Sequence, residues 1–142
     1  QAFILDDSII KNIAFGLNEK DIDVKKVNKS IIQANLNDYV SSLEDGLHTI
    51  VGEDGSLISG GQKQRLVLAR AFYFDKKIII MDESTNSLDK KSEEIILKEL
   101  FMYSKDKIII FISHQNHAEI KFDKELLIEN KLIKQASRAL GE

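Results

Sequence analysis

The chain has 142 residues, neither cysteine nor proline, and a formal net charge of −3 from 20 basic and 23 acidic side chains. The length suits one domain of ordinary size, and 43% hydrophobic with 30% charged residues fits a core beneath a solvated surface. This composition excludes disulfide staples and thiolate metal sites, and a near-balanced charge recommends neither nucleic acid nor anionic lipid as a partner.

The start, Gln1-Ala2-Phe3, has no initiator Met and no charged-then-apolar signal pattern, as expected of a segment of something longer. Asp6-Asp7-Ser8 can start a short helix within Phe3–Phe15. Asp21–Ala34 carries Val24, Val27, Ile31 and Ala34 at helical spacing, which predicts a helix behind an Asp cap. Leu36–Leu43 reads as a second short helix, and Glu44–Leu57, with Gly46, Gly52 and Gly55, as a loop. Gln62–Phe74 is helical, with Leu66, Ala69 and Tyr73 on one face and Val67, Ala71 and Phe74 beside them. Ile78–Met81 and Ile108–Ile112 are the longest apolar runs, far short of the roughly 18 residues that cross a bilayer. They predict strands of a parallel sheet covered on both faces. Ser92–Tyr103 between them is helical, with Ile96, Leu100 and Tyr103 in register, which makes a βαβ unit. Glu125–Glu129 and Leu132–Gln135, joined at Asn130-Lys131, read as a closing hairpin.

Three places carry chemistry. Ser59-Gly60-Gly61-Gln62 fits a capping box, and its two glycines let backbone amides approach an anion at a helix start. Ser-Gly-Gly alone is more often an ordinary capped helix; Gln64-Arg65 behind it and the strand at helix-length distance favour the anion site. Asp82 and Glu83 close a buried-type strand, where α/β folds place ligand groups. A carboxylate there can hold Mg²⁺ and its neighbour can polarise an attacking water. His114 follows the second apolar run and can hydrogen-bond a phosphate there. His48 and His117 have no such setting and read as solvent-facing, and Asp89 as the cap of the following helix.

Leu57-Ile58-Ser59-Gly60-Gly61-Gln62-Lys63-Gln64-Arg65, followed by Ile78-Ile79-Ile80-Met81-Asp82-Glu83, resembles the signature motif and Walker B of ABC-type ATPases. The resemblance to ABC transporter nucleotide-binding domains runs from Phe3 to about Gln135. Ser87-Leu88-Asp89 stands at the family's D-loop, which crosses a dimer interface, and His114 at its H-loop. Leu43-Glu44-Asp45-Gly46-Leu47-His48-Thr49-Ile50-Val51-Gly52-Glu53-Asp54-Gly55 resembles the exporter x-loop, which lies against the coupling helices of the membrane domain. Phe3–Ile13 resembles the segment just after the Q-loop, whose Gln falls one residue before Gln1, so Gln1 is not given that role. Asp6-Asp7-Ser8-Ile9 together with this x-loop hints at the flippases of lipid-linked oligosaccharides. The chain departs from the family at Glu44 and Lys76, where Pro is usual, at Ser84 and Asn86, and at the hairpin turn, which lacks Gly. The Walker A loop Gly-x-x-x-x-Gly-Lys-Ser/Thr, the aromatic A-loop and the Q-loop are not in the sequence.

The resemblance implies an α/β fold: a P-loop NTPase-like (RecA-like) parallel-sheet core with an inserted α-helical subdomain, truncated at the N-terminus. Residues 12–74 are expected to form the helical subdomain and signature helix, and 75–135 the Walker B to H-loop core and hairpin. It implies ATP and Mg²⁺ as ligands, with Ser59, Gly60, Gly61 and Gln62 on the nucleotide, Asp82 on the metal, and Glu83 and His114 catalytic. The implied partners are a second nucleotide-binding domain and a transmembrane domain, at the cytoplasmic face of the cell (inner) membrane, and no nucleic acid. The parent is expected to be an exporter-type ABC ATPase. A soluble ABC ATPase of DNA repair or translation should lack Thr49-x-Val51-Gly52-Glu53 and carry basic patches or coiled-coil arms; a non-catalytic fragment is the other alternative. Most of the phosphate grip in this chemistry comes from Walker A amides and lysine. The 142-residue chain alone is therefore expected not to bind Mg-ATP tightly; without further strands beside Ile78–Met81 and Ile108–Ile112 it is also expected to expose sheet edges and apolar faces and not to stay a stable monomer. Calorimetry and light scattering check this, and micromolar binding by a monomer is the contrary result.

Overall fold

The computed structural model of the chain describes residues 3–82, 90–114, 122–129 and 132–135. The chain divides into two compact units, Gln1–Ile112 and Ser113–Glu142. In the first, Ser8 caps the short helix α1 (Ile9–Ile13), its hydroxyl accepting from the Lys11 amide. The second helix, α2 (Val24–Gln33), has the expected Asp cap, Asp23, whose carboxylate accepts from the Lys26 amide. Just before it Glu19–Asp21 forms a 3₁₀ turn, in which Asn18 Nδ2 donates to the Asp21 carboxylate at 3.1 Å. Val27, Ile31 and Ala34 are buried as the stripe predicts, while Val24 in the first turn is 50% exposed. Asn35 takes a left-handed φ of 53°, and Leu36 N then donates to Ile31 O, which ends the helix and turns the chain into α3 (Asn37–Ser42).

The predicted loop follows, shaped by two 3₁₀ turns, Gly46–His48 and Glu53–Gly55, and leads into α4 (Gly60–Tyr73), which starts two residues earlier than the periodicity placed it. Helix α4 packs against α1 and α2. Leu66, Ala69 and Tyr73 are buried as expected, and so are Leu68 and Phe72. The buried arc is wider than one stripe because the helix has neighbours on more than one side.

β1 (Ile78–Asp82), α5 (Lys90–Tyr103) and β2 (Ile108–Ile112) form the strand–helix–strand unit, with the strands parallel and Ile78 opposite Ile108 through Asp82 opposite Ile112. In this chain alone one apolar face of the strands is open, as expected without further strands beside them. Ile79 and Met81 are buried, but Ile80 is 63% exposed and Ile78, Ile108, Ile110 and Ile112 are exposed with it. Alternate side chains point to opposite faces, and among the described residues this sheet has only these two strands. On α5, Ile96, Leu97 and Leu100 are buried.

Asp75 ties the end of α4 to this unit. Asp75, with φ 49°, closes the helix as Lys76 N reaches back to Ala71 O. Its carboxylate accepts from Lys107 Nζ at 2.7 Å and from the Tyr103 hydroxyl at 3.0 Å. The Tyr103 ring meets Phe72 edge-on at 4.7 Å, with the Lys107 ammonium 4.4 Å from its centroid. Ile108 N then donates to Lys77 O, where strand pairing begins.

The second unit contains the predicted hairpin, β3 (Leu126–Glu129) antiparallel to β4 (Leu132–Gln135), with Glu129 opposite Leu132. Its turn, Asn130-Lys131, lies outside the described residues.

The hydrogen bonds from Lys107 and then Tyr103 hold the Asp75 carboxyl below the usual carboxylate range. A depressed folded-state pKa contributes stability that is present above the unfolded value, near 4, and is lost as pH falls through the folded one. The melting temperature of wild type is therefore expected to exceed that of Asp75→Asn at pH 7. That advantage should vanish on acidification below about pH 4. A pH-independent difference between the two melting curves is the contrary result.

Candidate functional site at the start of helix α4

The loop before α4 folds back on itself. Leu57 N donates to Val51 O at 3.0 Å, and Gly52 takes a φ of 76° that a side chain resists. A Cβ at Gly52 would meet Leu57 Cγ at 2.9 Å, so the close approach itself requires glycine. From this turn the chain enters α4 through Ser59, which is extended with φ −67° and ψ 160°. Ser59 Oγ accepts from Gln62 N at 3.2 Å, and Gln62 Oε1 accepts from Ser59 N at 2.7 Å. This is the predicted capping box, with both arms present.

The box leaves a defined remainder. Lys63 N has its partner in Ser59 O and Gln62 N in the serine hydroxyl. The Gly60 and Gly61 amides, first and second in the helix, have no carbonyl four residues back to donate to. Gly60 is exposed and Gly61 half-buried, and neither has a side chain of its own. The N-terminus of a 14-residue helix adds a partial positive charge at this point. The arrangement offers two amides and one helix dipole to an anion, with Ser59 and Gln62 holding each other in place.

The loop behind the site is stitched to the start of the chain. Ile9 N donates to Thr49 O at 3.0 Å and Val51 N to Asp7 O at 3.1 Å, around an antiparallel bridge between Ser8 and Ile50. Val51 is fully buried, whereas Glu53 is exposed.

Asp82 is the last residue of β1, exposed, on a different element from Ser59–Gln62. Glu83 and Ser87-Leu88-Asp89 lie outside the described residues, as does His117. His114 is exposed, two residues beyond the end of β2, and belongs to the second unit. His48 is exposed, in line with its solvent-facing reading. Two residues that motif reading passed over stand out: buried Asn12 and the arginine at position 70, within the apolar arc of α4. A charged residue at that helical position is the signal that could have drawn attention to it.

Comparison with known proteins supplies the context. Residues 6–86 match the ABC transporter family. The chain is 38% identical over 130 residues to the ATP-dependent lipid A-core flippase of Pseudoalteromonas translucida, covering 92% of this chain and 22% of the flippase. It is 39% identical over 115 residues to the ABC-type transporter fsqE of Aspergillus fumigatus, covering 81% of this chain and 9% of the transporter. Among solved structures it resembles a bacterial Atm1-family ABC exporter with ATP bound, with a TM-score of 0.82 and 29% identity over 92% of this chain and 22% of the exporter. The chain thus spans less than a quarter of the length of each of these relatives. It belongs to the ABC transporter family and has the α/β, P-loop NTPase type of fold.

Removing a serine N-cap costs about 1 kcal/mol, whereas truncating a buried leucine costs about 2–5 kcal/mol. Ser59→Ala is therefore expected to destabilise the protein far less than Leu66→Ala, which removes a side chain that is only 2% exposed. Chemical denaturation of the two variants beside wild type checks the ranking. Equal losses would mean that the box also carries the fold.

Proposed function

We propose that this chain is part of the ATP-hydrolysing domain of an exporter-type ABC transporter. The observation that carries the reading is the start of α4, where a complete capping box leaves two side-chain-free amides for phosphate oxygens. On this reading Ser59, Gly60, Gly61 and Gln62 close over the γ-phosphate of a nucleotide held by a second nucleotide-binding domain. Because Ser59 and Gln62 are already fixed, little ordering is left to do at closure. Residues 12–74 act as the inserted helical subdomain and 75–135 as the core and hairpin.

The chemistry of the donor set suits magnesium, which is held by one or two carboxylates and keeps several waters. Asp82, at the carboxyl end of a parallel strand, is the residue proposed to hold it, and the metal when bound neutralises charge on the phosphoryl group. Glu83, next in sequence, accepts a proton from the water that attacks phosphorus as the bond to the leaving ADP breaks. His114 orients that water and the γ-phosphate by hydrogen bonding.

An exporter is favoured over a soluble ABC ATPase by two things. The Thr49–Glu53 loop has the exporter pattern and presents Glu53 at the surface, and the relatives include a flippase and an Atm1-family exporter by name. Among the described residues no helix is long and apolar enough to cross a membrane. Transport therefore requires a transmembrane domain, at the cytoplasmic face of which this domain works; the Thr49–Glu53 loop passes on the motion of dimer closure and reopening.

In the full-length protein, Glu83→Gln is expected to lower steady-state ATP hydrolysis about 10²–10⁴-fold while nucleotide binding is kept. Gly60→Asp, which sets a carboxylate where phosphate must approach, is expected to abolish hydrolysis without unfolding the protein. Activity within a few-fold of wild type for both variants, at equal folded fraction, would overturn the assignment.

A further inference from the structure

The start of the chain, which pairs with the loop behind the site, is linked to helix α4 by two side chains to which no role was assigned above. Asn12 is fully buried, and its Nδ2 donates to Leu5 O at 3.0 Å, Asp7 O at 3.3 Å and Ser8 O at 3.1 Å. Its Oδ1 accepts from Leu5 N at 2.8 Å and from the Arg70 guanidinium at 3.2 Å. Arg70 also donates from Nε to Asn12 O at 2.7 Å and from Nη1 to Phe3 O at 2.8 Å. Its guanidinium lies 4.8 Å from the centroid of the Phe15 ring.

Among the described residues Arg70 is thus held by neutral oxygens and a ring, with no carboxylate partner. Burial without a counter-charge pushes its pKa down, a cost that an apolar residue here would avoid. What the guanidinium adds is a rigid fork that fixes several points at once. Those points belong to the segment that pairs with Thr49–Val51 through Ile9 N and Asp7 O.

Helix α4 is therefore joined to that bridge twice. Residues 52–58 join it at the Ser59 end, and Arg70 joins it about three turns and 16 Å further on. A rod held at one end pivots; held at two, it follows its support. We propose that Arg70 is a positioning residue: acting through Asn12, it fixes the tilt of α4 against the Asp7–Ile9 and Thr49–Val51 bridge. Displacement of the bridge then reaches Ser59-Gly60-Gly61-Gln62 as a movement of the whole helix. The inference rests on the nucleotide reading of that motif and deepens it by naming how the loop controls it.

The test uses the full-length protein with Arg70→Lys, which keeps the charge and loses the fork. Two quantities are read: amide hydrogen exchange at Ile9 and Val51 against Val27 and Leu36, and the kcat and KM of ATP hydrolysis. The expected result is about tenfold faster exchange at Ile9 and Val51, with Val27 and Leu36 within about twofold of wild type. Turnover should fall about tenfold or more at nearly unchanged KM, because a misplaced site loses rate while Walker A residues keep the grip on nucleotide. Exchange that rises at all four amides alike, or normal turnover per folded molecule, would overturn the proposal and leave Arg70 an ordinary packing residue. If Arg70→Lys fails to fold, Asn12→Asp is read in the same way, since it keeps the acceptor facing Arg70 and loses the donors to Leu5, Asp7 and Ser8. A wild-type protein that does not hydrolyse ATP would overturn the nucleotide reading instead, and the exchange comparison alone then decides for or against the clamp.

Discussion

A loop without a hydrogen-bond ladder must find partners elsewhere for its backbone polar groups, because leaving them unpaired away from water costs more than ordering the chain. In this protein one buried carboxamide meets most of that need for Leu5–Ser8. Asn12 has both a donor and an acceptor face, and no carboxylate or ammonium could serve carbonyls and an amide at the same time. With those residues fixed, Asp7 and Ile9 are held in place to pair with Thr49 and Val51, and the glycine-shaped turn that follows delivers Ser59 to the start of α4. The cap of α4 thus depends on an amide 47 positions earlier in the chain.

The two ends of α4 are built on different principles. The start is a polar device at the surface, in which two side chains satisfy each other and the backbone between them is left bare. The end is packed: Phe72 and Tyr73 are buried, and Asp75 gathers an ammonium and a phenol around the helix stop. Exposed hydrogen-bonded devices can open locally at low cost, while packed ends resist.

What could be read from the sequence follows this division. The capping box was legible because all its parts lie within four residues and their spacing is fixed by helix geometry. The apolar stripes of α2, α4 and α5 and the two isoleucine-rich strands were legible for the same reason, since period alone gives them. Helix α2 begins at Val24, later than the Asp21 start of the stripe, because Glu19–Asp21 is taken up by a 3₁₀ turn that Asn18 and Asp21 brace by a hydrogen bond. Leu68 and Phe72 escaped because a stripe reveals one packing partner and α4 has several. The Asn12–Arg70 pairing was out of reach: its members are 58 residues apart, and neither type announces a partner. The continuous apolar runs pointed to strands that need cover on both faces, and the open face they show in this chain alone fits that reading; which elements supply the cover an apolar run does not specify.

The isoleucines of β1 and β2 have one more effect. Ile78, Ile79 and Ile80 face Ile108, Ile109 and Ile110, so sliding one strand past the other by two residues again sets isoleucine beside isoleucine at the exposed positions. It also keeps every side chain on its original face. The side chains of the pair therefore discriminate poorly between alignments. Selection falls to the opening contacts, where Lys107 is anchored on Asp75 and Ile108 N meets Lys77 O. An error of two residues there would carry Asp82 about 7 Å along the neighbouring strand. A carboxylate at one end of the strand is thus placed by an ammonium at the other, and the degenerate stretch between them acts as a ruler whose zero is set at Asp75.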